Sequence, residues 1–420
     1  MVNKIGIIGL GYVGLPLAVA MSKHFDVTGF DISAKRISSL CNLLDETGEL
    51  TEHELKCTEV IFTNRLSDCE TCNVFIITVP TPVDEANIPD LSLLKHACDE
   101  LGSILKKDDL VIFESTVYPG TTRDFCGKIL SEKSNLILNK DFYLGYSPER
   151  INPGDQNRSV KDIVKVVSGS SDYATQLVAE IYYPVISAGL HIASSLEVAE
   201  AAKIIENVQR DINIALINEL SEIFYVTGID TADVLKAAGT KWNFHAYTPG
   251  LVGGHCIGID PYYLKYFADK NSTPSQLISA GREINDSMAK RAAVRFIKKL
   301  CGSNISLTNA RILVAGVTFK ENCPDVRNSK VKDLIKELEA FNCKVDIIDP
   351  HADRDTVLDY FNKELLETPC DDVYDGIVIS VAHDEYKAKK IDDFRKLLKP
   401  NNIIFDLKCI FEKHETDLRL

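Results

Sequence analysis

Along the first 190 or so residues, short β-branched runs alternate with amphipathic stretches, the pattern of a parallel sheet whose strands are joined by helices. The strand candidates are Lys4–Ile8, Val27–Phe30, Val74–Val79, Leu110–Phe113, Phe142–Gly145 and Val164–Ser168. Proline and glycine punctuate their ends, as in Val79-Pro80-Thr81-Pro82 and Val117-Tyr118-Pro119-Gly120. From about Ser195 the period lengthens to that of helices. The stretch Ser195–Val226 contains no Pro or Gly and is rich in Ala, Ile, Leu and Glu; it predicts one helix of roughly thirty residues, a natural spine and dimer surface. Strand-like runs return at Arg311–Gly316, Lys344–Ile348, Gly376–Val381 and Ile403–Leu407. The expected organisation is therefore an α/β domain over residues 1–194, a helical middle over 195–305 and a second α/β domain over 306–420.

Composition narrows the classes. A chain of 420 residues, 45% apolar and 26% charged, is ordinary globular material. Its 61 acidic against 47 basic side chains leave a net charge of −14, a field that repels nucleic acid but leaves room for a small anion held by a few placed cations. No apolar run approaches the ~20 residues a bilayer demands, and Met1 leads straight into a strand with no basic n-region or cleavage site. The expectation is a cytoplasmic protein without a membrane segment. Its twelve cysteines are scattered, the usage of reduced, buried thiols with at most one set apart for reactivity. Cys69-Glu70-Thr71-Cys72 is a solitary C-x-x-C, so no metal site is expected.

Gly9-Leu10-Gly11-Tyr12-Val13-Gly14 follows the first strand and opens a helix, and Asp31 closes the next strand twenty residues past Gly11. The first glycine suits a tight turn, the second a close approach to a pyrophosphate, the third close helix-to-strand packing. With strand, helix and acid in register, the segment reads as a Rossmann dinucleotide site with phosphates on the helix N-terminus. Asp31 would accept a hydrogen bond from a ribose 2′-hydroxyl and repel a 2′-phosphate, favouring NAD over NADP. Lys35 and Arg36 are cations that could serve a phosphate in that loop.

Five further segments carry chemistry. In Gly250-Leu251-Val252-Gly253-Gly254-His255-Cys256-Ile257-Gly258-Ile259-Asp260 a cysteine sits in a glycine-rich loop with a carboxylate four residues on, the context of a nucleophile rather than of core filler. His255 reads as structural or ligand-lining. On the long helix Lys203 and Asn207 share a face at i and i+4 amid Ala and Ile. A desolvated cation there could steady an oxyanion, and a solvated lysine is the equal alternative. Glu114–Thr121 and Tyr146–Gly154 each follow a strand, where open α/β sheets bind ligands. Val317–Asn328 stands where a second glycine fingerprint would; its cations Lys320 and Arg327 suit a diphosphate or form an exposed charge pair.

Together, Gly9–Pro16, Glu149, Lys203, Asn207, Cys256, Asp260 and Phe319-Lys320 resemble the UDP-glucose/GDP-mannose dehydrogenase family along the whole chain. Tyr146–Asp155, Lys241–Phe244 and Gly250–Leu264 carry a closer likeness to its bacterial members acting on UDP-N-acetylglucosamine or UDP-N-acetylgalactosamine, in surface polysaccharide synthesis. The resemblance implies two Rossmann-like parallel-sheet domains joined by a long central helix, an NAD-binding residues 1–194 and a UDP-sugar-binding 306–420. It implies a four-electron oxidation of the sugar C6 to a carboxylate with two NAD in turn, in a homodimer formed through the central helix. Cys256 would carry the thiohemiacetal and thioester, Lys203 and Asn207 would steady oxyanions, Asp260 and Thr116 would position water, and Glu149 would act as a further acid/base group. The cofactor would contact Gly9, Gly11, Tyr12, Val13, Gly14, Asp31, Arg36, Pro80, Thr81, Ser115, Thr116 and Arg327. The UDP-sugar would contact Glu149, Arg150, Ile151, Asn152, Lys203, Asn207, His245, Tyr247, Gly253, Gly254, Phe319 and Lys320. Glucose-type members commonly carry an arginine ahead of the cysteine where this chain reads Gly239-Thr240-Lys241-Trp242-Asn243-Phe244, which turns the expectation from UDP-glucose toward an N-acetylated sugar. The alternatives are UDP-glucose or UDP-N-acetylmannosamine oxidation, a two-electron hydroxyacid dehydrogenase, and a non-enzymatic NAD sensor.

Overall fold

A computed structural model describes residues 4–150, 160–254 and 256–420; Ile151, Asn152 and His255 lie outside the described residues. The chain forms two compact units, Met1–Glu206 with Tyr262–Thr273, and Asn207–Pro261 with Pro274–Leu420.

The first unit is built on eight strands: β1 (Lys4–Ile8), β2 (Asp26–Phe30), β3 (Ile61–Thr63), β4 (Val74–Ile77), β5 (Leu110–Phe113), β6 (Tyr143–Tyr146), β7 (Lys165–Gly169) and β8 (Leu190–Ile192). Their order is β3-β2-β1-β4-β5-β6-β7-β8, with the switch point of a dinucleotide fold between β1 and β4. Successive side chains point to opposite faces, and both faces are covered: Ile5, Ile7, Ile76 and Ile112 enter one core, Ile8, Phe75, Ile77 and Phe113 the other. β1 to β6 run parallel, as expected, but β7 pairs antiparallel with β6 and β8 follows β7. Among the described residues the β6–β7 connection holds the 3₁₀ turn Val160–Asp162. The edge strands β3 and β8 are new to the picture: three residues each, with little burial to mark them.

The second unit carries β9 (Arg311–Ala315), β10 (Lys344–Ile348), β11 (Tyr374–Ile379), β12 (Leu398–Asp406) and β13 (Leu418–Arg419), all parallel, in the order β10-β9-β11-β12-β13. Its switch point lies between β9 and β11. The central helix spans Leu196–Thr227, within a residue of expectation at each end. A second long helix, Gln276–Gly302, is fixed to it in this unit by buried charge: Arg282 Nη1 lies 2.6 Å from Asp211 Oδ1, and Asn285 Nδ2 donates to the same oxygen at 2.8 Å. Among the described residues no helix is long and apolar enough to cross a membrane.

Candidate active site

The three glycines do three different things. Gly9 has φ +98°, a left-handed turn that a side chain would strain. A Cβ on Gly14 would lie 1.8 Å from the Gly9 carbonyl and 2.4 Å from Thr78 Oγ1, so the helix Gly14–Met21 can approach the sheet only without one. A Cβ on Gly11 would meet nothing within 4 Å; the protein itself does not require glycine there. The helix has no side-chain N-cap and no acid in its first turn, which leaves its N–H groups to an anion. Tyr12 and Val13 are half-buried beside it. Asp31 Oδ2 accepts the Leu10 N–H at 2.9 Å and Oδ1 that of Ser33, so the carboxylate sits against the glycine loop. Arg36 is buried: Nε donates to the Leu10 carbonyl at 2.9 Å and Nη2 pairs with Asp45 at 2.8 Å. It braces the loop from behind, while the neighbouring Lys35 is exposed. This open, uncapped cradle fits a dinucleotide pyrophosphate.

The loops beyond β4 and β5 are tied together. Ser115 Oγ donates to the Val79 carbonyl and Thr81 Oγ1 to that of Thr116, both at 2.6 Å, and the Tyr263 hydroxyl donates to Thr81 O at 2.8 Å. Pro80 is exposed and Thr116 half-buried. Glu200 of the central helix, wholly buried, accepts the Gly120 and Thr122 N–H groups at 2.6 and 2.8 Å. Burial pushes its carboxyl up to about 7 against those hydrogen bonds. Glu149 follows β6 and is also buried; Oε1 accepts the Arg150 N–H, and Oε2 lies 2.7 Å from the Nζ of Lys165, a residue the sequence did not single out. Arg150 pairs with Glu206 at 2.7 Å. Lys203, on the central helix, is buried.

In the second unit Asn207 Nδ2 donates to Asp260 Oδ2 at 2.6 Å, and both residues are buried. That bond fixes the carboxylate and leaves the amide a second N–H. Asp260 begins the helix Asp260–Lys270, and its own N–H donates to the Cys256 carbonyl at 2.9 Å, so the half-exposed cysteine sits in the turn that starts this helix. Gly254 has φ +84°, and a Cβ there would strike the Phe319 ring at 2.6 Å; one on Gly253 would strike the Asn328 carbonyl at 2.3 Å. The glycines thus let the cysteine loop lie directly against Val317–Asn328. The loop's start is pinned by Asn218, which donates to the Gly250 carbonyl and accepts its N–H at 2.8 Å. His245 is exposed and Tyr247 half-buried.

Val317–Asn328 lies at the carboxyl end of β9, beside the switch point. Asp349 Oδ2 accepts the Val317 and Thr318 N–H groups at 2.7 and 3.2 Å. The half-buried Lys320 extends over the Phe319 ring, 5.6 Å from its centre. Arg327 forms two bonds to Asp325, at 3.0 and 2.8 Å, so the exposed charge pair weighed from sequence is present. His351, His383 and Glu385 offer ligand atoms within 4.8 Å of one another. However, His383 Nδ1 accepts the Asn322 N–H, which leaves Nε2–H to donate to Asp349 at 3.1 Å; both ring nitrogens are engaged within the chain.

Sequence reasoning singled out the glycine loop, Asp31, the cysteine loop, the polar face of the central helix and the segment that begins at Glu114, and gave no role to Lys165, Glu200, Asn218, Asp349 or His383. For Lys165 and Glu114 a signal existed: charges abutting the otherwise apolar strands β7 and β5.

Three family models match: UDP-glucose/GDP-mannose dehydrogenase family, NAD binding domain over residues 3–186, central domain over 197–287 and UDP binding domain over 313–413. The chain is 50% identical to the UDP-N-acetyl-D-glucosamine 6-dehydrogenase of Pseudomonas aeruginosa, covering 99% of both chains. It is 46% identical to that of Salmonella typhi, covering 99% of this chain and 98% of the other. The solved UDP-D-ManNAc dehydrogenase of Pyrococcus horikoshii superposes with a TM-score of 0.89 at 29% identity, covering 99% and 98%.

Proposed function

Because the chain belongs to the UDP-glucose/GDP-mannose dehydrogenase family, we propose that it oxidises C6 of UDP-N-acetyl-D-glucosamine to the carboxylate for a surface polysaccharide precursor. It is an NAD-dependent oxidoreductase of UDP-sugars. The observation that carries the choice of sugar is the 50% identity over 99% of both chains to an enzyme named for that substrate. The stretch Gly239–Phe244, which carries no arginine, supports a sugar site unlike the glucose type.

We assign the division of labour as three parts, cofactor over 1–194, spine and catalysis over 195–305, nucleotide sugar over 306–420. The glycine loop and Asp31 would hold NAD, which when bound accepts a hydride in each of the two oxidations. Cys256 Sγ adds to the C6 aldehyde as a thiohemiacetal, which keeps the reactive intermediate attached; loss of the second hydride leaves a thioester, and water cleaves it to the acid and the free thiol. Lys203 and the second N–H of Asn207 stabilise the alkoxide and the tetrahedral oxyanions. Asp260, held by Asn207, would orient the hydrolytic water, a role the family likeness also gives Thr116, and Glu149 would move protons. Phe319 and Lys320 take the nucleotide, stacking on the base or pairing with the diphosphate. Val198, Ile205, Leu216, Ile223 and Val226 are exposed on the central helix, which supports a homodimer through that helix. A cytoplasmic location accords with this reading.

Counting NADH released per sugar tests the chemistry: two are expected, one would indicate a hydroxyacid-type dehydrogenase, none a sensor. Cys256→Ser is expected to abolish uronic acid formation while leaving NAD affinity within about twofold, and a variant still making the acid would remove Cys256 from its role. A screen of UDP-N-acetylglucosamine, UDP-N-acetylgalactosamine, UDP-N-acetylmannosamine and UDP-glucose tests the sugar. Faster turnover of UDP-glucose would overturn the assignment.

A further inference from the structure

We propose that Lys165 is a positioning residue for Glu149, a buried cation anchored on Glu114 and Tyr182 that holds the Glu149 carboxylate in one orientation. Lys165 Nζ lies 2.9 Å from Glu114 Oε2 and 2.7 Å from Glu149 Oε2. The other oxygen of Glu114 accepts the Tyr182 hydroxyl, and the other oxygen of Glu149 accepts the Arg150 N–H at 2.6 Å. The ammonium also lies 5.4 Å from the centre of the Tyr182 ring. Lys165 and Glu114 are each 3% exposed, Tyr182 is wholly buried, and Glu149 is 8% exposed.

Stability does not explain this cluster. Taking a lysine and two carboxylates out of water costs several kcal/mol per ion, and well-packed apolar residues in the same volume usually do as well or better. The surroundings offered that option, since β5 is Leu-Val-Ile-Phe and β7 continues from Lys165 as Val-Val-Ser-Gly. What the ions provide and hydrocarbon cannot is a fixed direction of charge. The two carboxylates are not equivalent. Glu114 has both oxygens committed to groups rooted in the sheet and in the helix Asp172–Tyr182, so it is the fixed end. Glu149 stands one residue past Ser147-Pro148, at the start of the loop after β6, where an unrestrained carboxylate could turn among rotamers. Burial pushes Glu114 up to about 6, opposed by Lys165. Lys165 itself is pulled down by burial, and the two carboxylates more than restore it, so it stays charged. The titratable groups that face Glu149 include Lys165 from β7 and, across it, Glu114 and Tyr182.

This inference rests on the reading of Glu149 as the acid/base group, and the test separates the two. Steady-state rates are measured on the full chain with UDP-N-acetylglucosamine and NAD. Glu149→Gln should lower kcat about 10²-fold, and Lys165→Met about tenfold with KM for NAD within twofold. Lys165→Arg should recover most of the loss. In the double variant Lys165→Met/Glu149→Gln, kcat should fall no lower than in Glu149→Gln alone, because a residue that acts through Glu149 has nothing left to position. Losses that multiply, or a Lys165→Met enzyme with unchanged kcat, overturn the positioning role; full activity of Glu149→Gln overturns the acid/base reading instead. If Lys165→Met does not fold, Glu114→Gln decides. With the fixed end of the cluster removed, kcat should fall severalfold with KM for NAD within twofold; an unchanged kcat overturns the proposal.

Discussion

The two sheets carry the same turn built twice, once open and once filled. After β1, Gly9 turns at φ +98°, and Thr78, just past β4, donates its hydroxyl to the Gly9 carbonyl at 2.7 Å. After β9, Gly316 turns at φ +92°, and Ser380, just past β11, donates to the Gly316 carbonyl at 2.6 Å. In both an aspartate follows the second strand and accepts amides of the loop: Asp31 from Leu10, Asp349 from Val317 and Thr318. The likeness ends there. Two residues past the turn the first loop has the exposed Gly11 and the second the buried Thr318, whose hydroxyl bonds the Lys320 carbonyl. Five residues past it, Gly14 gives way to Glu321. Asp31 keeps part of its surface, whereas Asp349 also accepts the His351 and Ala352 N–H groups and that of His383, so nothing of it remains for a ribose. One frame, in the NAD binding domain, therefore leaves its loop open, and the other, in the UDP binding domain, fills the same place and carries Phe319 and Lys320 beyond it.

Removing the two aspartates should separate the frames most widely. Asp349→Ala strands four backbone amides and a buried imidazole, and should destabilise its unit by about 3–5 kcal/mol. Asp31→Ala leaves two amides that water can reach and should cost about 1 kcal/mol while weakening NAD binding. Urea unfolding of the apoprotein checks both. Equal losses would mean that the aspartates do the same work.

Two buried carboxylates that pin loops should also respond oppositely to pH. Glu200 is raised from an ordinary 4.5 to about 7, so its contribution is complete below 4.5 and is lost as pH climbs through 7. Wild type should lose about 3 kcal/mol relative to Glu200→Gln over that interval, at 1.36 kcal/mol per pKa unit. For Asp349 burial acts to raise the carboxyl, but His383 and the loop amides hold it below its usual 3.8, so its contribution persists above that value and fades only in acid. Wild type minus Asp349→Asn should accordingly be flat from pH 5 to 8. Unfolding midpoints of the three proteins at pH 5 and 8 decide, and a flat Glu200→Gln difference would contradict the first half.

What the sequence disclosed follows from what is local. β1, β4, β5 and the central helix announce themselves because their apolar residues are consecutive or keep one period, and Asp31 because its spacing from Gly11 is set by one strand and one helix. The reversal of β7 has no trace in periodicity, which is blind to strand direction. Partners far apart in the chain leave none either: Lys165 meets Glu114 across 51 positions and Glu200 meets Gly120 across 80. A lone charge beside a strand marks a buried ion without naming its counterion, and an asparagine such as Asn218 on a helix face looks solvated until Gly250 is seen lying on it.

Gly11 makes the finest distinction between the two loops. Its residue is not in the left-handed region, and a methyl group there would meet no protein atom within 4 Å, so the apoprotein has no use for glycine at that point. Gly11→Ala should leave the folded apoprotein unchanged or up to about 1 kcal/mol more stable, through the lower entropy of the unfolded chain. If a pyrophosphate lies against the loop, the same methyl group occupies its place, and NAD affinity should fall about tenfold or more, about 1.4 kcal/mol. Calorimetric titration with NAD beside thermal melts of the apoprotein reads both quantities. A variant that binds NAD as wild type does would place the phosphates away from Gly11, and the openness of this loop would then need another cause than the cofactor.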